Sequence, residues 1–200
     1  MQKLFSPDIQ KLMEALRHLP GVGVKTAQRM TIQLLDKNQQ GAKHIAESIL
    51  DALDTVKHCQ SCQMLTDRQL CAICDNQRRD SQQLCIVETM LDMLAIENAA
   101  IYQGKYFILH GRISPLDGMG PNELKLPLLE QLVVDHKVTE IVMAMSPSVE
   151  GETTAHFISE MLRKHHCKIS RIGFGVPFGG ELEYLDQQTL SHAFNAKTHL

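Results

Sequence analysis

The sequence predicts an α/β protein in which a parallel sheet follows an all-α N-terminal segment and a small four-cysteine module. Three observations carry that reading. Residues 84–87, 106–109 and 141–145 are short continuous apolar runs set between helical patterns, the texture of strands buried on both faces. Residues 9–56 hold three amphipathic patterns of helical period and no strand signal. Between the two textures stands Cys59-x2-Cys62-x8-Cys71-x2-Cys74. With 200 residues, 44% hydrophobic and 22% charged, the chain has material for one ordinary domain and a smaller one, which excludes a disordered polypeptide. No apolar run reaches the roughly 18–20 residues of a membrane span. Gln2-Lys3-Leu4-Phe5-Ser6-Pro7-Asp8 has no apolar leader core, so residence in the cytoplasm is expected.

In chain order, Ser6-Pro7-Asp8 reads as a helix start: a capping hydroxyl, a proline in the first turn, and an acid favoured by the helix dipole. Ile9, Leu12, Met13 and Leu16 then line one face. The run stops at Leu19-Pro20-Gly21-Val22-Gly23. A second helix places Val24, Ala27, Met30, Thr31, Leu34 and Leu35 on one side, with Lys25 and Arg29 off it. A third carries Ile45, Ile49, Ala52, Leu53 and Val56. Gly21 and Gly23 allow positive φ and close approach, so the first amides of the second helix can face an anion. That is the helix-hairpin-helix arrangement of DNA binders that grip phosphate without reading sequence, with Lys25 and Arg29 four apart to supply charge. An ordinary αα-hairpin with solvated basic residues is the competing reading. The net charge of −3 excludes binding by sheer basicity. Residues 1–58 nevertheless carry eight Lys/Arg against six Asp/Glu, and residues 81–200 nine against fourteen, so a polyanion contact belongs near the N-terminus.

Two Cys-x-x-Cys turns separated by eight residues can bring four thiolates to one tetrahedral zinc, and a filled coordination sphere makes such a site structural. Free or redox-active thiols are the alternative. His58 reads as a bystander, and Cys85 and Cys167 as small core residues.

Strands near 84–87, 106–109, 141–145 and 168–172 alternate with helical stretches near 90–97, 122–136 and 153–166, a β-α-β-α-β-α-β order. Glu88 ends the first strand, and Glu150-Gly151-Glu152 follows the third, immediately before a helix. Loops at the carboxyl ends of parallel strands converge, so Glu88, Glu150 and Glu152 could meet and hold Mg²⁺; acids placed at helix starts by the dipole are the plainer reading. The glycine-rich stretch 173–184 lacks the Gly-Lys-Ser/Thr ending of a phosphate loop and reads as a tight connection or a subunit contact.

Six runs in register resemble the bacterial RecR family of recombination mediators over essentially the whole chain. They are Leu19-Pro20-Gly21-Val22-Gly23 with Ala27-Gln28-Arg29-Met30, the four cysteines, Cys85-Ile86-Val87-Glu88, Ser114-Pro115-Leu116-Asp117-Gly118, Val149-Glu150-Gly151-Glu152, and Arg171 to Asp186 with Gly175-Val176-Pro177. The resemblance implies a helix-hairpin-helix domain over 1–57, a four-cysteine zinc finger over 58–75, a Toprim domain (the α/β module of topoisomerases and primases) over 80–175, and a Walker B-like, oligomerising segment over 176–200. It implies dimeric or tetrameric rings that bind single- and double-stranded DNA and gap junctions, and that act with RecF and RecO to load RecA. Carried over by position, Gly21, Gly23, Lys25 and Arg29 match the DNA-contacting hairpin. Glu88, Glu150 and Glu152 match the Toprim acids, a possible metal or partner site. Val24 stands where many relatives have proline, and Glu-x-Glu replaces the Asp-x-Asp of catalytic Toprim domains.

A scaffold without chemistry is therefore expected over a Mg²⁺-dependent Toprim enzyme. Strand rejoining needs a nucleophilic tyrosine, usually on a separate domain, and Tyr102, Tyr106 and Tyr184 all fall inside assigned segments.

Overall fold

The computed structural model describes residues 4–173 and 175–197, so Phe174 of the glycine-rich stretch and the last three positions of the C-terminal segment lie outside the described residues. The chain divides into two compact units, Met1–Val56 and Lys57–Leu200.

The first unit is helical. Helix α1 (Pro7–Leu16) has Ser6 at its N-cap and proline in the first turn, but the Ser6 hydroxyl makes no capping bond. Pro7 removes one donor from that turn, and the Gln10 side chain instead ties the entry by donating through Nε2 to the Phe5 carbonyl at 2.8 Å. Helix α2 (Val24–Ile32) continues through a π-helical turn over Gln33–Lys37. Helix α3 (Gln39–Thr55) begins at Asn38, whose side chain accepts from the Gly41 amide. Among the described residues of this unit, Ala27 and Thr31 alone are buried. The apolar face read from the sequence on α3 is open, with Ile45 50%, Ile49 54% and Leu53 73% exposed.

The second unit begins with a ribbon of β1 (Lys57–His58) against β2 (Leu65–Thr66), then the short helix α4 (Ala72–Asp75). The sheet follows: β3 (Asp80–Val87), β4 (Gly104–Ile108), β5 (Glu140–Ala144) and β6 (Lys168–Arg171), all parallel, in the order β4-β3-β5-β6. Helices α5 (Met90–Ala99), α6 (Leu126–Asp135) and α7 (Val149–Leu162) connect successive strands. Successive side chains of a strand face opposite ways. Leu84, Ile86, Phe107, Ile141 and Met143 accordingly pack with α6 and α7 residues such as Leu129 and Ile158, whereas Cys85, Val87, Tyr106 and Ile108 pack with Met93 of α5 and with Met64 and Ile73 of the cysteine module. Burial pushes the Cys85 thiol up to about 12, as befits an inert core residue.

Two helix starts differ from expectation. Residues 122–125 form turns, and α6 starts at Leu126 with Pro127 in its first turn. Helix α7 starts four residues before 153, because Ser148 caps it by accepting from the Gly151 amide. Glu150 and Glu152 thus lie inside its first turn rather than ahead of the helix.

The start of β3 is held by an ion pair. Arg79 donates through both terminal nitrogens to the Glu97 carboxylate and also to the Gly104 carbonyl, while the Tyr106 hydroxyl donates to Glu97 at 2.6 Å. The guanidinium keeps the Glu97 carboxyl below the usual carboxylate range. Past the sheet, Asp186 caps α8 (Gln187–Asn195), and Phe178, Leu182, Tyr184 and Phe194 lie exposed.

Candidate functional site

Three groups of residues bear on function, and the cysteine module is the most tightly built. Cys59, Cys62, Cys71 and Cys74 are all buried, and their sulfurs lie within 4.8 Å of one another. Among the described residues they form the one group of metal-ligating side chains so arranged. Four sulfurs each about 2.3 Å from a common zinc stand about 3.8 Å apart, so the donor set fits that ion in number, softness and spacing. The Cys62–Cys71 hydrogen bond, at 3.4 Å, pushes the Cys62 thiol up and the Cys71 thiol down. Metal therefore enters by displacing protons.

The module is fastened to the sheet through Gln63, a residue that no sequence pattern marks. Gln63 is buried with φ +67°. Its carbonyl accepts from His58 Nδ1 at 2.8 Å and from His110 Nε2 at 2.7 Å. Its side chain donates to the Cys59 carbonyl and accepts from Lys125 Nζ at 2.6 Å. His110 and Lys125 also sit at positive φ. His58 thus holds the module's fold through its ring nitrogen. The edge strand β4 meets the module as well: the Ile108 amide donates to the Cys62 carbonyl, and Lys105 Nζ to that of Cys74.

In the hairpin, Gly21 takes φ +76°, where only glycine is unstrained, and the Val22 amide closes the turn on the Leu19 carbonyl. Gly23 is the N-cap of α2 at φ −82°, so it uses its missing side chain and not left-handed backbone. No side chain caps this helix start, and open space surrounds both glycines. The first amides of α2 are therefore free to meet an anion. Lys25 and Arg29 are exposed, and among the described residues neither has an ion-pair partner within the unit, where Lys37 pairs with Asp36.

The acids occupy the crevice outside β3 and β5, where the strand order reverses and open α/β sheets bind ligands. Glu88 is nearly buried. Its Oε1 accepts from the Ser146 amide at 2.8 Å, and its Oε2 lies 3.7 Å from Arg112 Nε. Arg112 Nη1 lies 3.9 Å from Glu150 and donates to Ser148 Oγ at 2.8 Å. Glu152 turns instead to Arg171 on β6 and joins it through both carboxylate oxygens. The structure thus gathers Glu88 and Glu150 on one guanidinium and takes Glu152 elsewhere. Because α7 starts early, residues 150 and 152 are two helical steps apart and point in different directions. Mg²⁺ keeps several waters and is held by one or two free carboxylates. With Glu88 and Glu150 facing Arg112, Glu152 joined to Arg171, and no cluster of acid oxygens among the described residues, these acids do not fit it.

Family models match successive parts of the chain: RecR, helix-hairpin-helix over residues 9–53; RecR, four-cysteine zinc finger domain over 56–76; Toprim domain over 82–173; and RecR, C-terminal over 175–198. The Recombination protein RecR of Francisella tularensis subsp. novicida (strain U112) is 60% identical over 198 residues, covering 99% of this chain and 98% of the relative. The chain belongs to the RecR family. Its counterparts in Francisella tularensis subsp. tularensis (strain SCHU S4 / Schu 4) and Francisella philomiragia subsp. philomiragia are 61% and 59% identical over the same span. With the zinc finger of this family and four gathered thiols, the cofactor is a structural zinc. Zinc supplies no chemistry here beyond closing its own loop, since four protein ligands leave it no open position. Among the described residues no helix is long and apolar enough to cross a membrane.

Proposed function

We propose that the chain is a cytoplasmic, homo-oligomeric mediator of recombinational repair that binds single- and double-stranded DNA and gap junctions without sequence preference, has no catalysis of its own, and works with RecO and RecF to load RecA. The observation that carries the reading is the hairpin. Gly21 and Gly23 leave the first amides of α2 uncovered beside exposed Lys25 and Arg29, which suits phosphate and offers nothing to base edges. Membership of the family supports the repair role. Cys59, Cys62, Cys71 and Cys74 are assigned as the zinc ligands.

Self-assembly is supported by the surface of the helical unit. A segment of this size with two buried residues among those described does not close a core, and α3 leaves Ile45, Ile49, Leu50 and Leu53 at least half exposed. The exposed Phe178, Leu182, Tyr184 and Phe194 of the C-terminal segment offer a second such surface. A chain of net charge −3 also gains phosphate contacts by bringing several hairpins to one channel.

The absence of catalysis is supported by the carboxylates, which are tied to arginines. One purified sample tests all three parts: light scattering gives the mass, a salt titration of DNA binding gives the electrostatic slope, and incubation with DNA and Mg²⁺ reports cleavage. A closed dimer or tetramer, a steep salt slope and intact DNA are expected. A monomer that binds duplex as tightly as any oligomer overturns the assembly, and Mg²⁺-dependent nicking overturns the scaffold.

A further inference from the structure

Resting on the scaffold role proposed above, we infer that Arg112 is the resident cation of the Toprim crevice: its guanidinium, in the place of a divalent ion, holds the carboxylate at the end of β3 to the first turn of α7. Glu88 and Glu150 come from different strand ends, and Arg112 is the group that faces both, at 3.7 and 3.9 Å. The same guanidinium donates to Ser148 Oγ, the cap of α7. One side chain therefore touches the acid after β3, the acid of α7, and the residue that starts that helix.

The placement is built by the neighbouring chain. Two residues before it, His110 takes φ +56° and donates its ring N–H to the buried Gln63 carbonyl. One residue after it, the Ile113 amide donates to the buried Thr154 hydroxyl at 2.9 Å. Both flanks of Arg112 are thus anchored, one to the zinc module and one to α7. The opposite wall is equally fixed: a Cβ on Gly151 would lie 3.2 Å from Glu88 Oε1 and 2.2 Å from the Ser146 carbonyl, so no room remains between helix and carboxylate on that side.

Arg112 and Glu150 are both substantially exposed, and exposed ion pairs contribute little. Glu88 is the residue for which the cation matters, because a buried carboxylate left without an opposite charge is costly. Removing the guanidinium should open the crevice locally and free the oxygens of Glu88, Glu150 and Ser148 for a metal. Wild-type protein should take up no metal there.

The experiment uses the full chain with zinc in place and Mn²⁺ as the probe, read by electron paramagnetic resonance and by hydrogen exchange. Wild-type protein is expected to bind no Mn²⁺ at these acids and to show slow exchange over residues 146–152. Arg112→Gln should raise exchange there on the order of tenfold and acquire a Mn²⁺ signal in the millimolar range, while circular dichroism keeps its wild-type shape. If Arg112→Gln does not fold, Glu88→Gln, which removes the nearly buried carboxylate that the guanidinium holds, should give the same local rise in exchange. Mn²⁺ binding by the wild type that vanishes in Glu88→Gln overturns the inference. So does unchanged exchange in Arg112→Gln, or an Arg112→Gln protein that gains no Mn²⁺. DNA nicking by the wild type would strike the scaffold reading instead, and is measured separately.

Discussion

Replacing Gly151 by alanine sets two effects of opposite sign against each other. Within a helix, alanine in place of glycine ordinarily stabilises by about 1 kcal/mol. Gly151 lies in the first turn of α7, where that gain would be expected on propensity alone. The local geometry forbids it: the added Cβ would stand 2.2 Å from the Ser146 carbonyl oxygen, a backbone atom that cannot rotate away. Helix α7 must move off the end of β5, at an overpacking cost of about 1–3 kcal/mol. The movement also strains the Ser146 amide bond to Glu88, a hydrogen bond to a charged group worth about 1.5–3 kcal/mol. Less the propensity gain, the net loss is about 1.5–5 kcal/mol. At about 2–4 °C per kcal/mol for a chain of this size, the midpoint of thermal unfolding should fall by roughly 3–20 °C. Circular dichroism on the zinc-loaded protein reads this directly. A Gly151→Ala protein that melts at or above the wild-type temperature refutes the close approach of α7 to the β5 terminus, and with it the closed crevice.

Other expectations follow from the same structure. Glu97 has its carboxyl lowered by Arg79, so its contribution is present above the unfolded pKa and lost as pH falls through the folded one; urea unfolding should show wild-type stability falling on that acid limb, and Glu97→Gln should lose about 2 kcal/mol at pH 7 and show a flatter limb. Cys62→Ser leaves three thiolates, so elemental analysis should find less than about half an equivalent of zinc per chain. Acidification should release zinc from the wild type as protons compete for sulfur. Lys25→Ala and Arg29→Ala should each weaken binding to all DNA sequences alike and lower the salt slope by about 0.9 for each duplex phosphate left unneutralised; unchanged affinity in the double variant moves the DNA site elsewhere.

Much of this molecule is legible in its sequence, for identifiable reasons. The second half of β3 and most of β4 and β5 are buried on both faces, so their apolar runs are unbroken and announce themselves, and the four cysteines have a spacing that little else uses. Helix α3 shows the limit of a periodic pattern: Ile45, Ile49 and Leu53 mark a face correctly, but a face does not say what covers it. The early start of α7 is hidden because Gly151 argues against a helix, and the Ser148 cap that outweighs it is visible only once the turn is formed. Gln63, Arg112 and Lys125 carry no signal at all. Each acts through partners remote in the chain, 47 positions from Gln63 to His110, 62 from Gln63 to Lys125 and 36 from Arg112 to Ser148, and such pairings leave no local pattern. The expected convergence of three acids misses for a related reason: which carboxylate goes where is decided by Arg112 and Arg171, and neither arginine is near the acids in sequence.

The way the cysteine module shares its carbonyls with the sheet bears on where this chain can be cut. The family models draw a line between residues 76 and 82, which invites expression of the α/β part by itself. Such a fragment would lose Arg79 from Glu97, and would leave the Ile108 amide, Lys105 and Lys125 without their acceptors. It would also bare the outer edge of β4, a ready template for edge-to-edge aggregation. A fragment meant to stay in solution should begin at Lys57, where the chain divides into its two units, and carry its zinc with it.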